Sequence, residues 1–490
     1  MPLGKHYAAI LCLLLASVSV IYYFNTQYLH PPGKVPVIGS DEVVWMDSAK
    51  AVLWDFRNPF FFNEGRIFHD PFPGSPYIMA FIGVVFYVTA VDPATILIAL
   101  KFVFLFLLFA AAYEIMRHFF PESGQRNAAF LLYATLGGIG GLAYIIFFAV
   151  NGSVPGLYEG VMLFTGITKP DSAIYHVVSL FFGFASVLMM LKRKHFILIG
   201  LGLGMSALIY PIFGAAFFLA ALIHGAIIKD RKCVPALITG LLVALPWAIS
   251  YIQYPDIIES IGAQKNYINP AALLLQGFFI ITLSAAYLIK RPKMDSSTRF
   301  MAIFAVLLAL ASMIPPQVNP VTNAQRFIWI IFLPFAILGT KGMYSLFKKD
   351  TARKISAAII IISSLTFFAG NARIITAEPL RIQQNEYDAV KFLRMQEFGN
   401  VLTTESLGDY VPYIAEKRSH HTLFYRENGF FPKLRQARDG MDASLMADMV
   451  AEYDIAYIIA PEGDALDSMA FSMGYKIIYD EGGFRIFSTA

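Results

Sequence analysis

Two neighbouring carboxylates, Asp41 and Glu42, open the apolar run 43–56, with Ser40 directly before them. A carboxylate so placed can take a proton from an incoming group. The same two acids also suit the positive end of a helix dipole, and Ser40 is a good N-cap. Trp45 and Trp54 favour the membrane–water interface, so the run reads as a helix on the membrane surface with two acids at its entrance. A proline-rich turn answers it, His69-Asp70-Pro71-Phe72-Pro73-Gly74-Ser75-Pro76. Further along stand Glu159, Lys169 and Asp171, then Arg326 at the mouth of an apolar run holding Trp329 and Pro334. The guanidinium is a planar fork that matches phosphate oxygens, and Lys169 is a second, weaker cation for that task. Each residue also has a plain structural reading. Asp41 and Glu42 would cap a surface helix, Asp171 the helix that follows it, and His69 and Asp70 would belong to a turn held by prolines. Arg326 would be an interfacial anchor that snorkels. His176 and His224 lie inside apolar runs and read as packed against polar neighbours, although ionisable groups there are functional candidates by default.

The elements that must position these residues are set by composition. The 490 residues are 57% hydrophobic and 15% charged, with a mean hydropathy of +0.59, which is membrane composition. A net charge of +4, with basic residues clustered in short linkers, reads as topology and not as a nucleic-acid surface. Cys12 and Cys233 sit in or beside apolar segments and can build neither a disulfide framework nor a Cys/His metal cluster. Segment 1–24 pairs Lys5 with an apolar run and lacks a small-residue cleavage site, so it reads as an uncleaved first span.

Counting every apolar run as a crossing breaks the positive-inside rule, because it puts Arg117, His118 and Arg126 on the side of Asp41. The run 77–91, bounded by Pro76 and Pro93, is short for a core of about 30 Å. Taken as interfacial or re-entrant, it leaves spans near 7–24, 95–116, 127–149, 174–191, 195–210, 212–228, 233–251, 271–289, 300–314, 327–346 and 354–371. That is about eleven spans, and it gathers the basic groups on the cytoplasmic side at every turn. The groups include Arg117 with Arg126, Lys192-Arg193-Lys194, and Lys348 with Lys349. The N-terminus is then cytoplasmic. The outward loops are 25–94, 150–173, 252–270 and 315–326, and they carry nearly all the residues named above.

From about residue 380 the pattern changes. Segment 387–398 has helical spacing, Val401-Leu402 and 455–459 look like buried strands, and 444–452 looks helical. Glu481-Gly482-Gly483 between two apolar runs signals a hairpin. The stretch 380–490 therefore reads as a small α/β domain on the outer side, behind a transmembrane catalytic domain 1–371 that contains the first outward loop 25–94.

A first span, an outward loop opening with Asp41-Glu42 and a proline-flanked short apolar stretch together resemble the GT-C fold of membrane glycosyltransferases. More narrowly they resemble the protein O-mannosyltransferase and lipid A aminoarabinose transferase branch. Those enzymes carry an acidic dipeptide near the start of an interfacial helix and a His-Pro-Pro-like turn. Here the turn is His69-Asp70-Pro71-Phe72-Pro73, with an inserted acid and split prolines. Asp171, before Ser172-Ala173-Ile174-Tyr175-His176, stands where the family's second outward loop often bears an acid. Arg326-Phe327-Ile328-Trp329 with Pro334 matches its late arginine.

The resemblance implies transfer of a sugar from a polyprenyl-phosphate donor, with inversion, to a protein, lipid or glycan acceptor at the outer face of the membrane, and no nucleic acid. It implies Asp41 as general base and Glu42 orienting it or binding the sugar. It gives His69, Asp70, Lys169 and Asp171 substrate contacts, and Arg326 the departing phosphate. No metal site is assigned: a divalent cation, Mg or Mn, stays open as a cofactor but is not required. The Trp-Trp-Asp-Tyr-Gly signature of oligosaccharyltransferases is absent, and Gly408-Asp409-Tyr410 is only a fragment of similar flavour. A transporter or flippase of a lipid-linked glycan is the rival, against which stand the lack of paired halves and the small number of charges buried mid-span. A non-catalytic scaffold is a third reading.

Overall fold

The computed structural model describes residues 34–36, 76–135 apart from 90 and 92, 174–253, 270–314 apart from 291 and 292, 324–376, and 381–489 apart from 409, 416 and 420–429. The chain divides into two compact units. One comprises Met1–Tyr22 with Ala99–Thr376, the other Tyr23–Ile98 with Ala377–Ala490.

The described part of the first unit is helical: α2 (Pro93–Phe119), α3 (Ser123–Ala134), α4 (Ile174–Leu191), α5 (Phe196–Ile209), α6 (Pro211–Ile228), α7 (Cys233–Gln253), α8 (Pro270–Ile289), α9 (Ser296–Met313), α10 (Ile328–Leu346) and α11 (Lys349–Thr376). Five helices among the described residues are long and apolar enough to cross a membrane: Thr95–Phe119 within α2, then α4, α6, α9 and α10. α5 and the stretches Cys233–Pro246 and Leu273–Ile289 are shorter apolar helices. Leu241, Leu242 and Leu310 remain 61%, 64% and 54% exposed. Water would reject such a surface, whereas lipid accepts it.

At the centre is α10, buried at every position from Ile328 to Thr340. It approaches α8 closely because Gly339 and Gly342 carry no side chain there. A Cβ on Gly339 would lie 2.8 Å from the Ile280 carbonyl oxygen, and one on Gly342 would lie 2.3 Å from that of Leu283. The glycines of α5 act likewise, and their spacing assigns them. Gly200 and Gly204, four apart, face α7, where added Cβ atoms would stand 2.5 Å from Thr239 and 2.4 Å from Val243. Gly202 faces α4, where a Cβ would stand 2.2 Å from the Ser186 hydroxyl. Small residues in this arrangement let backbones pack where lipid offers no hydrophobic drive. The Ser179 hydroxyl adds a contact of 2.9 Å to the Ser206 carbonyl across the α4–α5 seam.

Helix ends are held by caps. Asp295 caps α9, accepting from the Thr298 N–H at 2.7 Å and the Thr298 hydroxyl at 2.8 Å. Between α5 and α6 the chain breaks at one residue, Tyr210, which is extended (φ −147°, ψ 99°). Pro211 imposes the break, since the residue before proline is pushed out of the helical region.

In the second unit, α1 (Pro76–Thr89) occupies the short apolar stretch. Strand β1 (Lys34–Pro36) pairs antiparallel with β2 (Arg381–Gln383), Val35 opposite Ile382. A five-stranded sheet follows, with order β4-β3-β5-β7-β6, built from β3 (Asn400–Leu402), β4 (Arg418–Ser419), β5 (Ile455–Pro461), β6 (Lys476–Glu481) and β7 (Phe484–Ser488). The pairs β3–β4 and β3–β5 are parallel, while β7 runs antiparallel to both β5 and β6. Alternate residues feed two cores. Val401, Tyr457, Ile459 and Ile486 face one, with Val390 and Leu393 of α12 (Gln384–Leu393). Leu402, Ile458 and Phe487 face the other, with Met446 and Met449 of a later helix (Ala443–Glu452). Gly482 and Gly483, at φ +63° and +77°, make the tight β6–β7 turn, a geometry that glycine adopts without strain. Lys417 is buried and donates to the carbonyls of Gln396 at 2.8 Å and Glu397 at 2.6 Å, beneath the Tyr457 ring.

Candidate functional site

In the first unit, one end of the helical bundle gathers an arginine and a basket of rings. Arg326 lies in a single 3-10 turn, Ala324–Phe327, that leads into α10. This turn delivers the guanidinium to the first turns of two other helices. His176 and Tyr175 come from the start of α4, Tyr210 from the break before α6, and Phe213 from the first turn of α6. Trp329 follows one turn after Arg326. Each ring is placed by a helix terminus, so the cluster exists only because α4, α6 and α10 begin at the same place.

Arg326 Nη1 donates to His176 Nε2 and, at 2.6 Å, to the Tyr210 hydroxyl. The guanidinium carbon stands 5.3 Å from the centre of the Tyr210 ring, and the Tyr175 phenol is a further hydrogen-bond partner. The His176 ring meets Tyr175 at 4.2 Å, Tyr210 at 4.7 Å, Trp329 at 4.8 Å and Phe213 at 5.7 Å between centres. The Trp329 indole N–H is buried without a hydrogen-bond partner among the described residues.

The electrostatics are one-sided. Among the described residues no carboxylate pairs with Arg326; its partners are an imidazole and phenols. The starts of α4 and α6 add the positive ends of their helix dipoles. A cation would be repelled here. An anion would find a charged fork whose described partners, His176, Tyr210 and Tyr175, are all neutral.

Of the catalytic and substrate-binding residues expected from sequence, Arg326 is the one whose surroundings can be described. Asp41, Glu42, His69, Asp70, Lys169 and Asp171 lie outside the described residues. His176, expected to pack against polar neighbours, touches Arg326 itself. His224 packs against Phe300 and, at 3.6 Å, the Cys233 thiol. Sequence reasoning missed Tyr210 and Lys101. Lys101 is 5% exposed within α2, on the same stripe as the buried Leu97, Leu105 and Leu108. Its signal was available: a lone lysine in the otherwise apolar stretch 96–113. Among the described residues no three His, Cys, Asp or Glu side chains come together as metal ligands.

An apolar helical bundle, joined to a second unit that carries a mixed sheet, has the GT-C fold of membrane glycosyltransferases. ArnT from Cupriavidus metallidurans superposes with a TM-score of 0.61 over 99% of both chains at 9% identity. The same protein bound to undecaprenyl phosphate gives 0.58 over 98% of both at 8%. The apo oligosaccharyltransferase of Archaeoglobus fulgidus gives 0.59 over 94% of this chain and 70% of that one at 12%. These are likenesses of fold at low identity. No protein-family model matches the sequence, and no curated protein matches it either.

Proposed function

We propose that this helical membrane protein is an inverting glycosyltransferase that moves a sugar from a polyprenyl-phosphate donor to a protein, lipid or glycan acceptor at the outer membrane face. The observation that supports it is Arg326, a part-buried cation held by neutral partners where α4 and α6 begin. A charge removed from water without a counter-ion is costly, and among the described residues no carboxylate supplies one to Arg326. A phosphate fits the planar fork. The likeness to ArnT, which has been solved with undecaprenyl phosphate, supports the same ligand class.

In this reading Asp41 takes the proton from the acceptor hydroxyl or amide as that atom bonds to the anomeric carbon. The bond from that carbon to the phosphate oxygen breaks, and the lipid phosphate leaves with its charge met by Arg326. Glu42 orients Asp41 or the sugar, while His69, Asp70, Lys169 and Asp171 contact substrate. The test is purified protein in nanodiscs given radiolabelled polyprenyl-phosphate sugars and an acceptor extract from membranes lacking the protein. Label should move from lipid to acceptor. Movement of intact lipid-linked sugar between leaflets without cleavage would replace the transferase reading with a transporter.

A further inference from the structure

We infer that His176 is a positioning residue for this anion site: a neutral acceptor that fixes the Arg326 guanidinium without cancelling its charge. The inference rests on the phosphate-binding reading above. Arginine stays protonated throughout the working pH range and can only donate. The contact from Nη1 therefore makes His176 Nε2 the acceptor, with the ring proton on Nδ1 and the imidazole uncharged. The Tyr210 hydroxyl, 2.6 Å from the same Nη1, is a second neutral acceptor. Together they use both hydrogens of that nitrogen and orient the plane of the fork.

The imidazole is itself held in place. Tyr175, Tyr210, Phe213 and Trp329 surround it on several sides, so its ring plane is set by packing. An aspartate or glutamate here could hold Arg326 as firmly. It would also neutralise the guanidinium and leave little attraction for a ligand anion. Histidine combines an aromatic body that fits the basket with an acceptor nitrogen that carries no charge. The device presents an arginine that is held rigidly and that, among the described residues, meets no carboxylate.

Three variants at one position separate this role from packing. Short-chain polyprenyl phosphate without sugar is the probe, titrated against the full-length protein in nanodiscs, with KM and kcat for transfer measured beside it. His176→Phe keeps the aromatic body and loses the acceptor. A hydrogen bond to a charged group accounts for roughly 10- to 100-fold, so Kd and KM should rise by about that factor while kcat at saturating donor moves less. His176→Gln restores a neutral acceptor and should recover most of the loss. His176→Glu restores an acceptor that carries charge and should bind as poorly as His176→Phe. Thermal melting checks that each variant is folded, and Tyr210→Phe, which removes the second acceptor, serves where His176→Phe does not fold. A folded His176→Phe with wild-type affinity would reduce His176 to packing. A His176→Glu that binds as the wild type does would overturn the role of neutrality. If the wild-type protein itself fails to bind the probe, the phosphate reading falls instead, a result no variant can imitate.

Discussion

Asp41→Asn keeps the size of the side chain and removes its proton-accepting charge. General-base assistance is typically worth about 10² to 10⁴ in rate, so turnover should fall by that order while donor binding survives. A residue that only caps a helix would tolerate the change, because Asn caps as well as Asp; normal transfer by the purified variant would send the search to Glu42 or Asp171. Arg326→Ala should act differently, weakening donor binding itself, since the phosphate contact exists before the transition state. Arg326→Lys should recover only part of that affinity, because an ammonium cannot reproduce a planar fork shared with His176 and Tyr210. A third test concerns Asp295. Its pKa reflects burial, which raises it, overcome by hydrogen bonds from the Thr298 N–H and hydroxyl and by Lys341, which hold it below the usual carboxylate range. A depressed carboxylate stabilises the fold above its unfolded pKa, and that contribution is lost as pH falls through the lower folded value. The melting temperature should therefore drop more steeply in acid for the wild type than for Asp295→Asn, which keeps a cap but does not titrate. Equal slopes would remove Asp295 from the account.

At the scale of elements, the seams of α5 are the exposed weakness. Gly204→Val forces side-chain atoms into Val243 and the Gly240 carbonyl, and overpacking of this kind costs about 1–3 kcal/mol or more. Its melting temperature should fall, while Gly124→Ala in α3, with nothing within 4 Å of the new methyl, should change little. A similar loss for both would show that the seam is not tight. Helices such as these were legible in the sequence because apolar runs end at cation clusters: the spans expected at 174–191, 212–228 and 327–346 meet helices Ile174–Leu191, Pro211–Ile228 and Ile328–Leu346. Arg326 was legible as a candidate because an arginine opening an apolar run needs a reason. Tyr210 was not. A tyrosine before a proline is an ordinary turn, and it gains meaning only when α4 and the 3-10 turn arrive beside it. Strands β1 and β2 escaped because three residues are too few to establish an alternating pattern. Asp41 and Glu42 were legible as chemistry, and their geometry lies outside the described residues.

At the scale of the whole molecule, the spans expected from the positive-inside pattern are tested by reporters. A fusion after residue 120 or 193 should read cytoplasmic and one at 490 external; an external signal at 120 would overturn the proposed topology. Truncation at 375 is expected to spare hydrolysis of the lipid donor while abolishing choice of acceptor. A folded truncate that no longer cleaves the donor would refute that division of labour. The truncation also deletes β2, the partner of β1. That same strand pair sets a timetable for biogenesis. Pro36 pairs with Arg381, about 345 positions later in the chain, and ribosomes add roughly 5–20 residues per second. The early strand therefore waits for tens of seconds, while the intervening helices are inserted, before its partner exists. Until then β1 lacks this partner strand, so completion of the pair is a late event in the life of each molecule. Acceptor-specific transfer, unlike hydrolysis of the lipid donor, should then emerge only with the last quarter of synthesis and not gradually as the membrane helices accumulate.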